Sequence, residues 1–183
     1  MAPRKVVGPE IAHAAAVTKA GEDVAVLKTT LGTIVFRFFD KDAPNHVANF
    51  KELANSHFYD GTTFHRVIPG FMIQGGAPNS KDADRSNDGM GNGPRTLKAE
   101  FNQNKHLRGT VSMARAQDPN SASCQFFICV APQAFLDGHY TVFGQVVEGM
   151  DVVDKIVSVK RDERDNPIDP VRMEKVTIEK RKL

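Results

Sequence analysis

Two stretches of the chain combine residue types able to grip and polarise a peptide. They are FHRVIPGFMIQGG, residues 64 to 76, and SCQFFICVAPQAFLDGHYTVFG, residues 123 to 144. Side chains on a strand alternate between faces, so Met72 shares a face with Gln74, and Gln125 with Phe127. Each strand thus offers one apolar and one amide group side by side, and Arg66 is the one permanently charged donor of the first stretch. Taken singly, Phe64, Phe71, Phe126 and Phe127 read as core and Arg66 as a surface charge. Taken together they favour a groove for an extended peptide, since a surface strand has no use for amides paired with phenylalanine.

Other chemistries find no support. The histidines at 13, 46, 57, 65, 106 and 139 show no pairing with cysteine or carboxylate at helix or strand spacing, so no metal is expected. Asp84, Ser86, Asp88 and Gly89 match the first, third, fifth and sixth positions of a calcium loop, but Arg95 stands where a bidentate glutamate is required. The glycine run from Gly89 to Gly93 is followed by Pro94 and by no periodic helix, so it reads as a flexible loop rather than a phosphate cradle. No serine lies in a Gly-x-Ser-x-Gly elbow, and no cofactor is implied.

Composition narrows the partners. The chain has 183 residues, 24 basic against 22 acidic side chains, twelve phenylalanines and no tryptophan. One core-forming domain with or without a tail fits that length. Near-cancelling charge provides no global field for nucleic acid or an anionic membrane. Cys124 and Cys129 sit at an odd separation that points them to opposite strand faces, so they do not bridge. Two unpaired cysteines with no export signal imply a cytoplasmic protein, and no apolar run approaches the roughly 20 residues of a membrane span.

The elements that must position these residues are mostly short strands. Residues 1–22 form an N-terminal extension with glycines, prolines and an alanine-rich patch, and residues 23–183 form the folded domain. VAVLKTT and TIVFRFF around Leu31-Gly32 read as a hairpin, with Ile34, Phe36 and Phe38 on one face. Asp42 is placed to cap a helix over about 43–55, with Pro44 in its first turn. TFHRVI, FMIQ, TVSMARA, CQFFICV and TVFGQVV follow as strands, then a helix over 149–156 and a last strand around 172–180. Many strands with two helices indicate an antiparallel barrel or sandwich.

FHRVIPGFMIQGG, SMARA, NSASCQFFI, FLDGHYTVFG and EGMDVVDKI together closely resemble the cyclophilin family of peptidyl-prolyl cis-trans isomerases, most of all its short bacterial members. The resemblance runs from about Val24 to the C-terminus and implies a closed eight-stranded antiparallel β-barrel capped by two α-helices. It places the catalytic arginine at Arg66, with His65 as a supporting neighbour. The proline pocket falls on Phe71, Met72, Phe127 and Leu136, the backbone binders on Gln74 and Gln125, and the adjacent strand on Ala114 and Arg115. Three positions depart from the common pattern. Phe135 stands where many members have tryptophan, so an indole donor is missing and cyclosporin-type inhibitors should bind less tightly. Tyr140 replaces a histidine of the pocket wall, and Arg115 replaces an asparagine.

The implied substrates are proline-containing segments of unfolded or folded proteins, turned over by a monomer that assists folding. The alternative is a non-catalytic proline-binding or chaperone module using the same groove. A further possibility gives the extension or the loop from Pro78 to Arg95 the task of docking a partner.

Overall fold

Strands β1 (Glu22–Thr29) and β2 (Gly32–Phe38) form the hairpin that the alternation predicts, pairing Val24 with Arg37 through Thr29 with Gly32. These coordinates come from a computed structural model that describes residues 21–183. The N-terminal extension read over 1–22 therefore lies, up to residue 20, outside the described residues. Ile34, Phe36 and Phe38 face the interior, while Val24, Val26 and Val35 pack on the other face.

Helix α1 (Pro44–Asn55) follows, with Pro44 in its first turn as expected. The expected cap does not form at Asp42: the N-cap position is Ala43, and Asp42 accepts from Asn104 Nδ2 at 2.9 Å. Glu100, distant in sequence, serves the helix start instead. Its carboxylate accepts the backbone N–H groups of Asn45 and His46 at 3.2 and 2.8 Å, which satisfies orphan donors and places negative charge at the positive end of the helix dipole.

The remaining strands are β3 (Arg66–Ile68), β4 (Met72–Gly75), β5 (Thr110–Met113), β6 (Phe126–Cys129), β7 (Val142–Glu148) and β8 (Met173–Arg181). Helix α2 (Met150–Val157) sits between the last two and buries Val152, Val153 and Ile156. Its N-cap, Gly149, has φ +90°, and a Cβ there would lie 2.3 Å from the Thr33 carbonyl oxygen, so only glycine fits.

All pairings in the sheet are antiparallel, in the order β3-β4-β6-β5-β7-β2-β1-β8. The sheet curls into a half-barrel and is not fully closed, because β3 and β8 do not pair as strands. The bridge between Thr63 and Arg172 and the bonds Phe64 N–H to Val171 O and Val67 N–H to Asp165 O span the seam. Pro167 and Pro170 bring no N–H to this segment, which keeps its pairing irregular.

Strands β4 and β6 are buried on both faces, and this creates the site. Ile73, Phe126 and Ile128 point into the main core, where Phe126 meets Phe50 edge to face at 5.4 Å between ring centroids. Met72, Phe127 and Cys129 point outward into a second apolar cluster with Leu136. No helix among the described residues is long and apolar enough to cross a membrane.

Candidate functional site

Sheet register carries the site's geometry. Arg66 pairs with Gln74, Gln74 with Phe127, and Phe127 with Ser112, so these four lie in one row across β3, β4, β6 and β5. Neighbouring strands are about 4.8 Å apart, which sets the backbones of Arg66 and Phe127 roughly 10 Å from each other with Gln74 between. The next row joins Ile68, Met72 and Cys129. A short helical turn, Ala134–Leu136, closes one end by laying Leu136 against Met72 and Phe127.

The result is a pocket of about 180 Å³ lined by Arg66, Phe71, Met72, Gln74, Ala114, Arg115, Phe127, Leu136 and Tyr140. Phe127 forms part of its apolar lining and meets Tyr140 edge to face at 5.8 Å. Arg66 is exposed, and its side chain makes no hydrogen bond or ion pair among the described residues. Its guanidinium is therefore available to whatever enters.

Three of the residues named from sequence lie outside that lining. Gln125 borders an adjoining cavity of about 420 Å³, which shares Gln74, Ala114 and Arg115 with the first. Gln74 Nε2 donates to Gln125 Oε1 at 3.0 Å, and Gln125 Nε2 donates to the Gly89 carbonyl at 2.9 Å. Phe135 is 67% exposed and stands on the rim, its ring 5.8 Å from that of Phe71. His65 is buried behind the strand and lines a third cavity with Arg66, Arg85, Asp88 and Arg164. Burial pushes its pKa down to about 4, against the attraction of Asp88 and aided by the charge of Arg66.

Gly76 follows Gln74 closely and has φ +91°. A Cβ there would approach the Cys124 carbonyl and the Tyr59 ring to 2.9 Å each. This close approach brings β4 beside the segment entering β6, and so sets the two glutamines within reach.

Sequence reasoning missed the support beneath Phe127. His106 stacks on the Phe127 ring at 5.9 Å and 13° between planes. Asp137 Oδ1 accepts from the His106 backbone N–H at 2.7 Å and lies 2.9 Å from Nδ1, while Nε2 lies 2.9 Å from Ser112 Oγ. Desolvation lowers the His106 pKa, and Nδ1 carries its proton toward Asp137, while Ser112 Oγ beside Nε2 also reaches the Thr141 carbonyl at 3.1 Å. Asp137 lies in the FLDGHY stretch, the one signal that pointed here.

The glycine run read as a flexible loop is tied to the site. Gly93 N–H donates to Ser123 Oγ, Asn79 N–H to the Met90 carbonyl, and Asp88 is buried against Arg85 and Asn166.

Residues 24–178 match the family model described as cyclophilin type peptidyl-prolyl cis-trans isomerase. The chain belongs to the cyclophilins. It is 49% identical over 144 residues to a peptidyl-prolyl cis-trans isomerase of Synechococcus elongatus, covering 74% of this chain and 94% of that one. A probable peptidyl-prolyl cis-trans isomerase of Brucella abortus is 44% identical over 164 residues, covering 86% and 83%. Among solved structures, a Cryptosporidium parvum cyclophilin crystallised in the presence of the dipeptide Ala-Pro superposes with a TM-score of 0.78. It is 30% identical, with 85% of this chain and 98% of that one covered.

Burial keeps the two thiols of this cyclophilin protonated. Cys124 and Cys129 are free and buried, and burial pushes their pKa values up to about 11 and about 12. Such thiols hold their protons at neutral pH and are poor nucleophiles.

Proposed function

We propose that this chain catalyses rotation about X-Pro peptide bonds, with Arg66 as the catalytic donor. One observation carries the reading: an exposed guanidinium without a partner among the described residues lines the same small pocket as Phe71, Met72, Phe127 and Leu136.

The X-Pro bond resists rotation by roughly 18–20 kcal/mol because its C–N bond has partial double-bond character. In the twisted transition state conjugation is lost, the proline nitrogen pyramidalises, and its lone pair becomes a hydrogen-bond acceptor. A donor aimed at that nitrogen binds the transition state better than the ground state, which raises the rate. Arg66 suits the task, being charged at every relevant pH with donors in a fixed plane. The apolar pocket grips the proline ring, and Gln74 and Gln125 hold the flanking backbone so that one side turns against the other. Ala114 and Arg115 border the bound chain, and His65 backs Arg66.

A barrier lowered by about 5.5 kcal/mol gives some four decades of rate. One charge-assisted hydrogen bond supplies about 1.5–3 kcal/mol of that. Exchange NMR on an Ala-Pro peptide should therefore show Arg66→Ala slowing turnover roughly 10- to 100-fold at an unchanged melting temperature. Wild-type rates in that variant would refute the mechanism. Peptide binding without exchange in the native chain would favour a binding module instead.

The substrates we infer are proline-containing segments of unfolded or folded proteins, so the chain would assist folding. Its free, buried thiols suit the reducing cytoplasm. Cyclosporin-type inhibitors should bind with reduced affinity, since Phe135 offers a ring but no N–H.

A further inference from the structure

The cavity beside the proline pocket has one charged residue in its lining, Arg115. Its other polar groups are amides and hydroxyls, among them Gln74, Asn92, Thr96, Ser121 and Gln125. Arg115 lies two residues beyond β5 and lines both cavities. Its Nε and Nη2 donate to the His139 carbonyl at 3.1 and 2.7 Å, and its Nη1 to the carbonyls of Ala116 and Gln117 at 2.9 and 3.1 Å. These bonds fix the group in place but leave its charge uncompensated, since every acceptor is a neutral carbonyl. One N–H of Nη2 stays open. The nearest carboxylate along the chain, Asp118, accepts from the Asn120 N–H at 2.9 Å. Arg66, on the far side of the pocket, adds a second charge of the same sign.

A nearly neutral chain therefore places along its groove two cations with no ion-pair partner among the described residues. We propose that the larger cavity selects an aspartate or glutamate side chain of the substrate peptide, held by Arg115. This rests on the isomerase reading for the proline seated next door. Three shared wall residues place the selected side chain within about two residues of the proline, since an extended chain rises roughly 3.3 Å per residue. A half-exposed charge pair preserved in one geometry corresponds to about three- to tenfold in kcat/KM.

The test uses neutral-capped pentapeptides carrying Glu, Gln or Lys two residues before or two residues after the proline. Exchange NMR gives kcat/KM, and chemical-shift titration gives Kd. In one of the two positions the Glu peptide should exceed its Gln twin about three- to tenfold and the Lys peptide should fall below it. The Glu-to-Gln ratio should shrink at high salt, drop to about one in Arg115→Gln, and persist in Arg115→Lys, which keeps the charge but not the fork. Equal handling of Glu and Gln peptides at both positions, or an unchanged ratio in Arg115→Gln, overturns the proposal. Loss of the ratio in Arg115→Lys as well assigns Arg115 a purely structural part and overturns it too. A chain that binds the Glu peptide more tightly yet rotates none supports the selectivity while refuting the isomerase reading.

Discussion

Arg115 lies over the ring of Tyr140, its guanidinium carbon 4.5 Å from the ring centroid. These are two of the three positions at which the chain departs from the common cyclophilin pattern, and they touch. The cation-π contact and the paired bonds to the His139 carbonyl hold the Tyr140 wall against the end of β5. Changing either residue alone leaves the other without its partner. In a double-mutant cycle of Arg115→Asn and Tyr140→His, the coupling should be about 0.5–1 kcal/mol by urea unfolding. Strict additivity would show that the two departures are independent.

The glutamine relay has only one orientation. The Gly89 carbonyl needs a donor, so Gln125 must turn its amide nitrogen there and its oxygen to Gln74. Gln125→Glu, though close in shape, sets a carboxylate oxygen against that carbonyl. At this partly exposed site the mismatch is of order 1 kcal/mol, so turnover should fall about fivefold, and further than in Gln125→Ala. Measured kcat/KM for the two variants settles the matter, and a Glu variant matching the native chain would dismiss the relay.

Much of the site was legible because β4 and β6 are apolar on both faces. In FMIQ and QFFIC, strand parity alone separates the inward Ile73, Phe126 and Ile128 from the outward Met72 and Phe127. The hairpin and both helices likewise follow local periodicity. What escaped depends on partners distant in sequence. Glu100 reaches back to cap α1, and Asp137 reaches back to His106, and neither pairing leaves a periodic trace. Glycine content told that the backbone near Gly89 is permissive, not that buried Asp88 and Ser123 tie it down. Phe135 sits in a helical turn, where strand parity has nothing to say, and so its place on the rim was not readable.

The Asp137–His106 pair supports the floor of the proline pocket. Asp137→Ala leaves the His106 backbone N–H and Nδ1 without their acceptor, an expected loss of about 1–2 kcal/mol. Because His106 stacks on Phe127, the Phe127 ring signals should broaden and KM should rise more than kcat falls. Unchanged Phe127 resonances in the variant would argue against this support.

Phe135 gives a test of inhibitor recognition at the rim. Phe135→Trp adds an N–H donor beside Phe71 without altering the pocket lining. One neutral hydrogen bond at an exposed site corresponds to about three- to tenfold tighter binding of a cyclosporin-type inhibitor, read by calorimetry. Equal affinity would mean that the ring, not its donor, governs binding.

Acid should weaken the fold through His65. Its Nδ1 is buried without a hydrogen-bond partner among the described residues, and burial holds the ring neutral with a pKa of about 4, while Asp88 and the Thr63 backbone oppose the effect and Arg66 adds to it. The unfolded chain takes a proton near pH 6.5, so below that pH it binds more protons than the native state and stability falls as pH falls. The contribution is complete above about pH 6.5, declines at up to about 1.4 kcal/mol per unit, and levels off below about pH 4, a total near 3 kcal/mol. Desolvation lowers the pKa values of His46 and His106 too, so both add to the decline just below pH 6.5. Replacing the titrating ring, as in His65→Gln, should leave a shallower slope of unfolding free energy between pH 6.5 and 4, whatever its effect at pH 7. Parallel slopes for the variant and the native chain would show that His65 is not held neutral by its burial.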